Sequence, residues 1–161
     1  MLETGALAPH FTLLGIDGGE YSLPKTAACQ PTVLAFFKTT CGTCDLAFPY
    51  VNRLREVYPD GWQLWAIAQD PPKVASEYAR SHAISYPVLI DAPDYSVSRL
   101  YDPPATPTLF LSDAGGRIVY STYGFSKDDM NELASLIAHM VDAEPVIVAP
   151  GNDGKPAFKP G

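Results

Sequence analysis

Thr32–Phe37 is a six-residue, almost wholly apolar run, and Cys41-Gly42-Thr43-Cys44 follows it at the head of a helical pattern. A run that short and that apolar is a strand covered on both faces, with none of the alternation of a half-exposed strand. Such a strand demands a layer of structure on each side. The pattern after it supplies part of one layer. Leu46, Ala47, Tyr50, Val51, Leu54 and Val57 recur at helical spacing, and Pro59-Asp60-Gly61 stops the run.

The rest of the chain alternates in the same way. Phe11 to Leu23 reads as two short extended pieces around Asp17-Gly18-Gly19, a hairpin turn. Gln63 to Ala68 is a second buried strand. Asp70 reads as an N-cap, with Pro71 and Pro72 opening a helix to about His82. Tyr86 to Ile90 is a strand, and Tyr95 to Tyr101 a short helix. Thr108 to Ser112 and Arg117 to Thr122 are strands joined by a turn at Asp113-Ala114-Gly115-Gly116. In the last helix Ser126 is the cap, with Asp129 three residues on, and Met130, Leu133, Leu136, Ile137, Met140 and Val141 form the buried stripe. A hairpin, alternating β-α units and a closing β-β-α predict an α/β domain with a mixed sheet and helices on both faces. The domain spans residues 1–144. Beyond it the composition shifts to Pro, Gly, Asn and Lys, so 145–161 reads as an irregular tail along the surface. There is no internal repeat.

At 161 residues, 47% hydrophobic and 18% charged, the composition is that of one soluble globular domain. A net charge of −7 argues against nucleic acid and anionic membrane surfaces as partners. No run approaches the ~18 apolar residues that span a bilayer. Met1 to Phe11 has neither the basic nor the apolar part of a signal peptide. The expected location is therefore cytoplasmic, or extracytoplasmic if a leader or anchor has been removed.

Three cysteines are too few and too uneven for a disulfide scaffold. Cys41 and Cys44 form a C-x-x-C pair at a strand-to-helix junction. Unpaired N–H groups and the positive end of the helix dipole gather there, and both stabilise a thiolate. Cys44, nearly one turn further in, is within disulfide reach but more covered. This predicts that Cys41 attacks and Cys44 resolves the mixed disulfide. The competing readings are half of a zinc site, or two inert core thiols. Zinc needs two more ligands, and His10, His82 and His139 are scattered without metal spacing. Cys29, in the Pro24–Pro31 loop, reads as structural or incidental.

Phe36-Phe37-Lys38-Thr39-Thr40-Cys41-Gly42-Thr43-Cys44, followed by Phe48-Pro49, resembles the active-site segment of thioredoxin-like proteins. It is similar in particular to the redoxin branch that holds the TlpA/ResA-type thiol–disulfide oxidoreductases and the AhpC/TSA peroxiredoxins. Gly5 to Leu13 resembles the start of that branch, and Ala105 to Leu111 the loop that carries its cis-proline. The resemblance covers about residues 5–142. It implies a thioredoxin fold with an N-terminal β-hairpin and an inserted α-β unit, supplied by Pro71 to Ile90. It implies a cis bond before Pro107, with Thr106 pairing its backbone with a bound peptide, and a helix-kinking role for Pro49. Gly42 and Thr43 would set the redox poise. The only redox group implied is the Cys41–Cys44 disulfide itself, with no metal or organic cofactor. The implied partner is another protein's disulfide or a small thiol.

The chain departs from the pattern at three places. The Trp that usually precedes the first cysteine is Thr40. The buried carboxylates that help deprotonate the second cysteine would fall at Ala35 or Ala47. Asp45, Asp70 and Lys38 are the nearby charged candidates for electrostatic support. Asp45 is expected to point to solvent, and Lys38 to be a solvated strand end. Weak reductase activity toward unselected disulfides follows. A peroxidase of the AhpC/TSA type is the alternative enzyme. Its Pro and Thr/Ser, seven and three residues before the reactive cysteine, are Leu34 and Lys38 before Cys41, and Phe37 and Cys41 before Cys44. Neither pair fits. A non-catalytic thioredoxin-fold binding module is the third reading.

Overall fold

A computed structural model describes residues 1–23 and 30–161. Cys29 lies outside the described residues. The centre is a five-stranded mixed sheet whose middle strand, β3 (Thr32–Phe37), is buried at all six positions, as its apolar run requires. It pairs in parallel with β4 (Gln63–Ala68), which pairs in parallel with β5 (Val88–Ile90). On its other side lies antiparallel β6 (Thr108–Ser112), followed by β7 (Ile118–Tyr123), giving the order β5-β4-β3-β6-β7.

Alternation along β3 divides the interior. Val33, Ala35 and Phe37 face a core shared with three helices, α1 (Gly42–Val57), α2 (Pro72–Ser81) and α4 (Lys127–Met140). Leu34 and Phe36 face a second core, closed by α3 (Ser96–Tyr101) and by the antiparallel hairpin β1 (Phe11–Leu14) and β2 (Glu20–Leu23). Helices thus lie on both faces of the sheet. Ser126 caps α4, accepting from Asp129 N at 3.2 Å. The expected cap at Asp70 is corrected. Pro71 is the N-cap of α2 and makes no side-chain cap bond, while the Asp70 carboxylate turns away to accept from Thr39 N at 2.8 Å. The main-chain donor just before the C-x-x-C outcompetes the helix start for that carboxylate.

The tail is better anchored than its composition suggests. Val148 and Ala149 are buried in the core of α1 and α4, where the Asn131 side chain accepts from both their N–H groups. Further on, β9 (Phe158–Lys159) pairs antiparallel with β8 (Phe125–Ser126), an addition to the expected irregular course. No helix among the described residues is long and apolar enough to cross a membrane.

Candidate active site

Two backbone segments meet at Cys41, and a third braces the second. The first is the turn that ends β3, closed by Cys41 N donating to Lys38 O at 3.2 Å. It delivers Cys41 to the N-cap of α1 in an extended conformation, and its Sγ accepts from Cys44 N at 3.1 Å. A capping sulfur thereby satisfies one of the orphan donors of the first helical turn. The second segment is the loop before β6. Its Thr106–Pro107 bond is cis, and Thr106 O accepts the Cys41 thiol proton at 3.1 Å. Thr108 Oγ1 donates to Ala105 O at 2.7 Å and closes that loop. The third is Gly124, whose N–H donates to Pro107 O at 2.8 Å.

The two thiols stand in unlike surroundings. Cys41 is partly exposed, while Cys44 is fully buried in the core of α1 and α2. Burial, and after it the hydrogen bond to Cys41, pushes the Cys44 thiol far above the usual thiol range. Ala35 and Ala47, also fully buried, leave no carboxylate at either expected place to accept its proton.

The charged candidates divide. Lys38 is exposed at the strand end. Asp45 is half-exposed and pairs with His82 Nε2 at 3.0 Å, a contact across α1 and the end of α2 that no sequence pattern announces. His82 stacks on Tyr78, with ring centroids 3.7 Å apart, and the Tyr78 hydroxyl is buried without a hydrogen-bond partner among the described residues. Burial first, and then the Cys44 charge, pushes that hydroxyl's ionisation upward. Asp70 holds the Thr39 N–H, which fixes the approach to the motif.

Thr43 and Gly42 face the tail. Thr43 Oγ1 donates to Pro160 O at 2.7 Å, and Lys159 Nζ stands 3.4 Å from where a Cβ on Gly42 would sit. Sequence reasoning missed this contact. Its acceptor is a main-chain carbonyl, which leaves no side-chain signal.

A family model described as the AhpC/TSA family matches residues 4–121. The chain belongs to the AhpC/TSA family. Among curated relatives, the thiol-disulfide oxidoreductase ResA of Geobacillus thermodenitrificans is 30% identical over 81% of this chain and 76% of its own. The ResA of Bacillus subtilis is 28% identical over 80% and 72%. A solved structure of a putative thiol:disulfide interchange protein DsbE from Chlorobium tepidum superposes with a TM-score of 0.78. It is 28% identical and covers 88% of this chain and 99% of that one. This AhpC/TSA-family chain is a redoxin-branch thioredoxin-fold protein, and the expected fold class stands. Its relatives, and the Cys41–Cys44 pair at the head of α1, mark it as a thiol–disulfide oxidoreductase.

Proposed function

We propose that the oxidoreductase works on protein disulfides, with Cys41 as the nucleophile and Cys44 as the resolving thiol. The observation that carries this reading is the asymmetry of the pair. Cys41 Sγ caps α1 at the surface beside cis-Pro107, and Cys44 is buried one turn behind it.

In the first step the Cys41 thiolate attacks one sulfur of a substrate disulfide. The substrate S–S bond breaks, and the departing sulfur takes up a proton. Cys44 then loses its proton and attacks Cys41 Sγ. The mixed disulfide breaks, the second substrate thiol leaves, and Cys41–Cys44 is oxidised by two electrons. The same steps in reverse oxidise a dithiol partner. The electrons reside in the two sulfurs, so the scheme calls for no metal or organic cofactor. Thr106, through its backbone, and Pro107 shape the groove for an extended peptide. Gly42 and Thr43 set the redox poise.

Peroxide reduction fares worse on geometry. The proline and hydroxyl of that chemistry would fall at Leu34, which faces the second core, and at Lys38, which is solvent-exposed.

Cys41→Ser is expected to abolish reduction of a model protein disulfide, and Cys44→Ser to trap the partner as a mixed disulfide. Hydrogen peroxide turnover lost in Cys41→Ser but robust in the wild type would favour the peroxidase instead. The raised Cys44 thiol fixes a pH signature. A thiol whose folded-state value is raised is protonated throughout the neutral range, so its thiolate fraction climbs about tenfold per pH unit. With alanine at 35 and 47 nothing flattens that climb. Resolution of the mixed disulfide, followed by stopped flow, should accelerate from pH 6 to pH 9 without a plateau. A plateau near the ordinary thiol value of about 8.5 would show that the Cys44 thiol is not raised in the mixed disulfide.

A further inference from the structure

We propose that residues 157–161 are an intramolecular strap occupying the peptide groove of the active site, so that a substrate must displace them before it reaches Cys41. This inference rests on the reading of the Thr106–Pro107 groove given above.

The strap meets each segment that builds the groove. Phe158 and Lys159 pair with Ser126 and Phe125, and Lys127 N donates to Ala157 O at 2.9 Å, so the strap lies as a strand along β8. Pro160 O accepts a hydrogen bond from the Thr43 hydroxyl, inside the C-x-x-C. Gly161 rests on the cis-proline loop. A Cβ there would fall 2.7 Å from Ala105 Cβ and 3.0 Å from Thr106 O, the same carbonyl that holds the Cys41 thiol. Across the groove Gly124 has φ +72, and a Cβ on it would come within 2.9 Å of Gly161 N and 3.0 Å of Lys159 O. Glycine on both sides permits this backbone-to-backbone approach.

An extended segment held by main-chain bonds beside a cis-proline loop is the geometry of a strand-adding peptide. Here the chain supplies its own. The strap is also lightly held. Every residue from 151 to 161 is exposed, so it buries little apolar side chain of its own. The secure anchors lie upstream, at Val148, Ala149 and the Lys127–Asp153 pair. Tethered upstream and light at its end, the strap competes intramolecularly with any external peptide. Partners that bind strongly at the groove get in, and unselected disulfides do not. The absence of a Trp at Thr40 and the presence of the strap bear on activity in the same direction.

The test compares the full chain with one ending at Lys155, a cut that removes only exposed side chains. Cys41 alkylation by iodoacetamide and reduction of a peptide disulfide are measured in parallel. Both should speed up by about tenfold, the reciprocal of an open fraction of about one in ten. A synthetic peptide of residues 156–161, Pro-Ala-Phe-Lys-Pro-Gly, added at millimolar concentration should slow the shortened chain again. Equal alkylation rates in the two chains would overturn the strap, whatever the reductase result. Faster alkylation with no disulfide reduction by either chain would uphold the strap and sink the redox reading. Where the shortened chain does not fold, full-length Cys44→Ser carrying a peptide on Cys41 as a mixed disulfide gives the answer. Its Lys127 amide should lose protection from hydrogen exchange, and undiminished protection refutes displacement.

Discussion

Two segments wrap the α/β core from opposite ends of the chain, and they do so by different physics. The β1–β2 hairpin closes the second core with side chains. Phe11 and Leu23 are buried, and Phe11 makes edge-on contacts with Trp65 and Tyr101 at centroid distances of 6.3 and 6.2 Å. The end of the tail closes the redox groove with backbone. Its two-residue ladder and the bond to Thr43 bury no large side chain of its own, and Phe158 stays exposed. Apolar burial is strong and non-directional, so the hairpin is a permanent cover. An intramolecular hydrogen bond nets about 1 kcal/mol because water competes for both partners, so the strap is a cover that another strand can replace.

The largest expected effect separates the two covers. Phe11→Ala removes a buried aromatic ring and should cost about 3–5 kcal/mol, read as a drop in the urea midpoint. The chain ending at Lys155 loses only exposed residues and should cost under about 1 kcal/mol. Reactivity should move the other way, unchanged per folded molecule in Phe11→Ala and raised in the shortened chain. If the two variants lose similar stability, the distinction between fixed and displaceable cover collapses.

The same contrast explains what the sequence made legible. Side-chain pattern carries the fold. The apolar β3, the helical stripe from Leu46 to Val57 and the Ser126 cap all register in residue identity, and each is where it was expected. The C-x-x-C and the Ala105–Leu111 loop are legible for the same reason, and the bond before Pro107 is cis, as the resemblance implied. What stayed hidden is carried by main chain or by distant pairing. A two-residue strand such as β8 or β9 is too short to show a period. Pro160 O, the acceptor for Thr43, would be offered by any residue. Asp70 misled because Asp before Pro-Pro is ordinary cap chemistry. The competing donor, Thr39 N, lies 31 residues away in the chain.

A middle-sized effect is expected at Asp153, where the firm and light parts of the tail meet. Its carboxylate takes hydrogen bonds from Lys127 first and Tyr50 second, and they hold its carboxyl well below the usual carboxylate range. A group whose folded-state value is depressed contributes stability above its unfolded value, about 3.9, and loses it as pH falls toward the folded one. The anchor is therefore complete above about pH 5 and weakens only in acid. In the wild type, the protection factor of the Lys155 amide, which donates to Asp153 at 2.9 Å, should fall as the pH drops below that range. Asp153→Asn should show a low protection factor at that amide at every pH and a Cys41 alkylation rate between those of the full and shortened chains. A rate equal to that of the full chain would mean that the strap holds without its anchor.

The smallest effect concerns Lys159, and there the sign matters more than the size. Its ammonium stands near Gly42, the first residue of α1, which follows the Cys41 cap in the chain. A cation there attracts negative charge, while the strap that carries it covers the groove, so the two contributions oppose each other. The strap is bound through backbone and through Pro160 O, which Lys159→Ala leaves in place. The substitution should therefore remove the charge and keep the cover. At a surface site with high effective dielectric, one unit charge beyond contact distance changes the rate of a reaction at a nearby negative centre by about twofold. Alkylation of Cys41 in Lys159→Ala should fall by that factor at 20 mM salt. The difference should vanish in 1 M salt, where screening shortens to about 3 Å. A rise in alkylation that persists in high salt would show that the lysine holds the strap down. The tail would then be fastened by its side chains, as the hairpin is, and the contrast between the two covers would be one of degree.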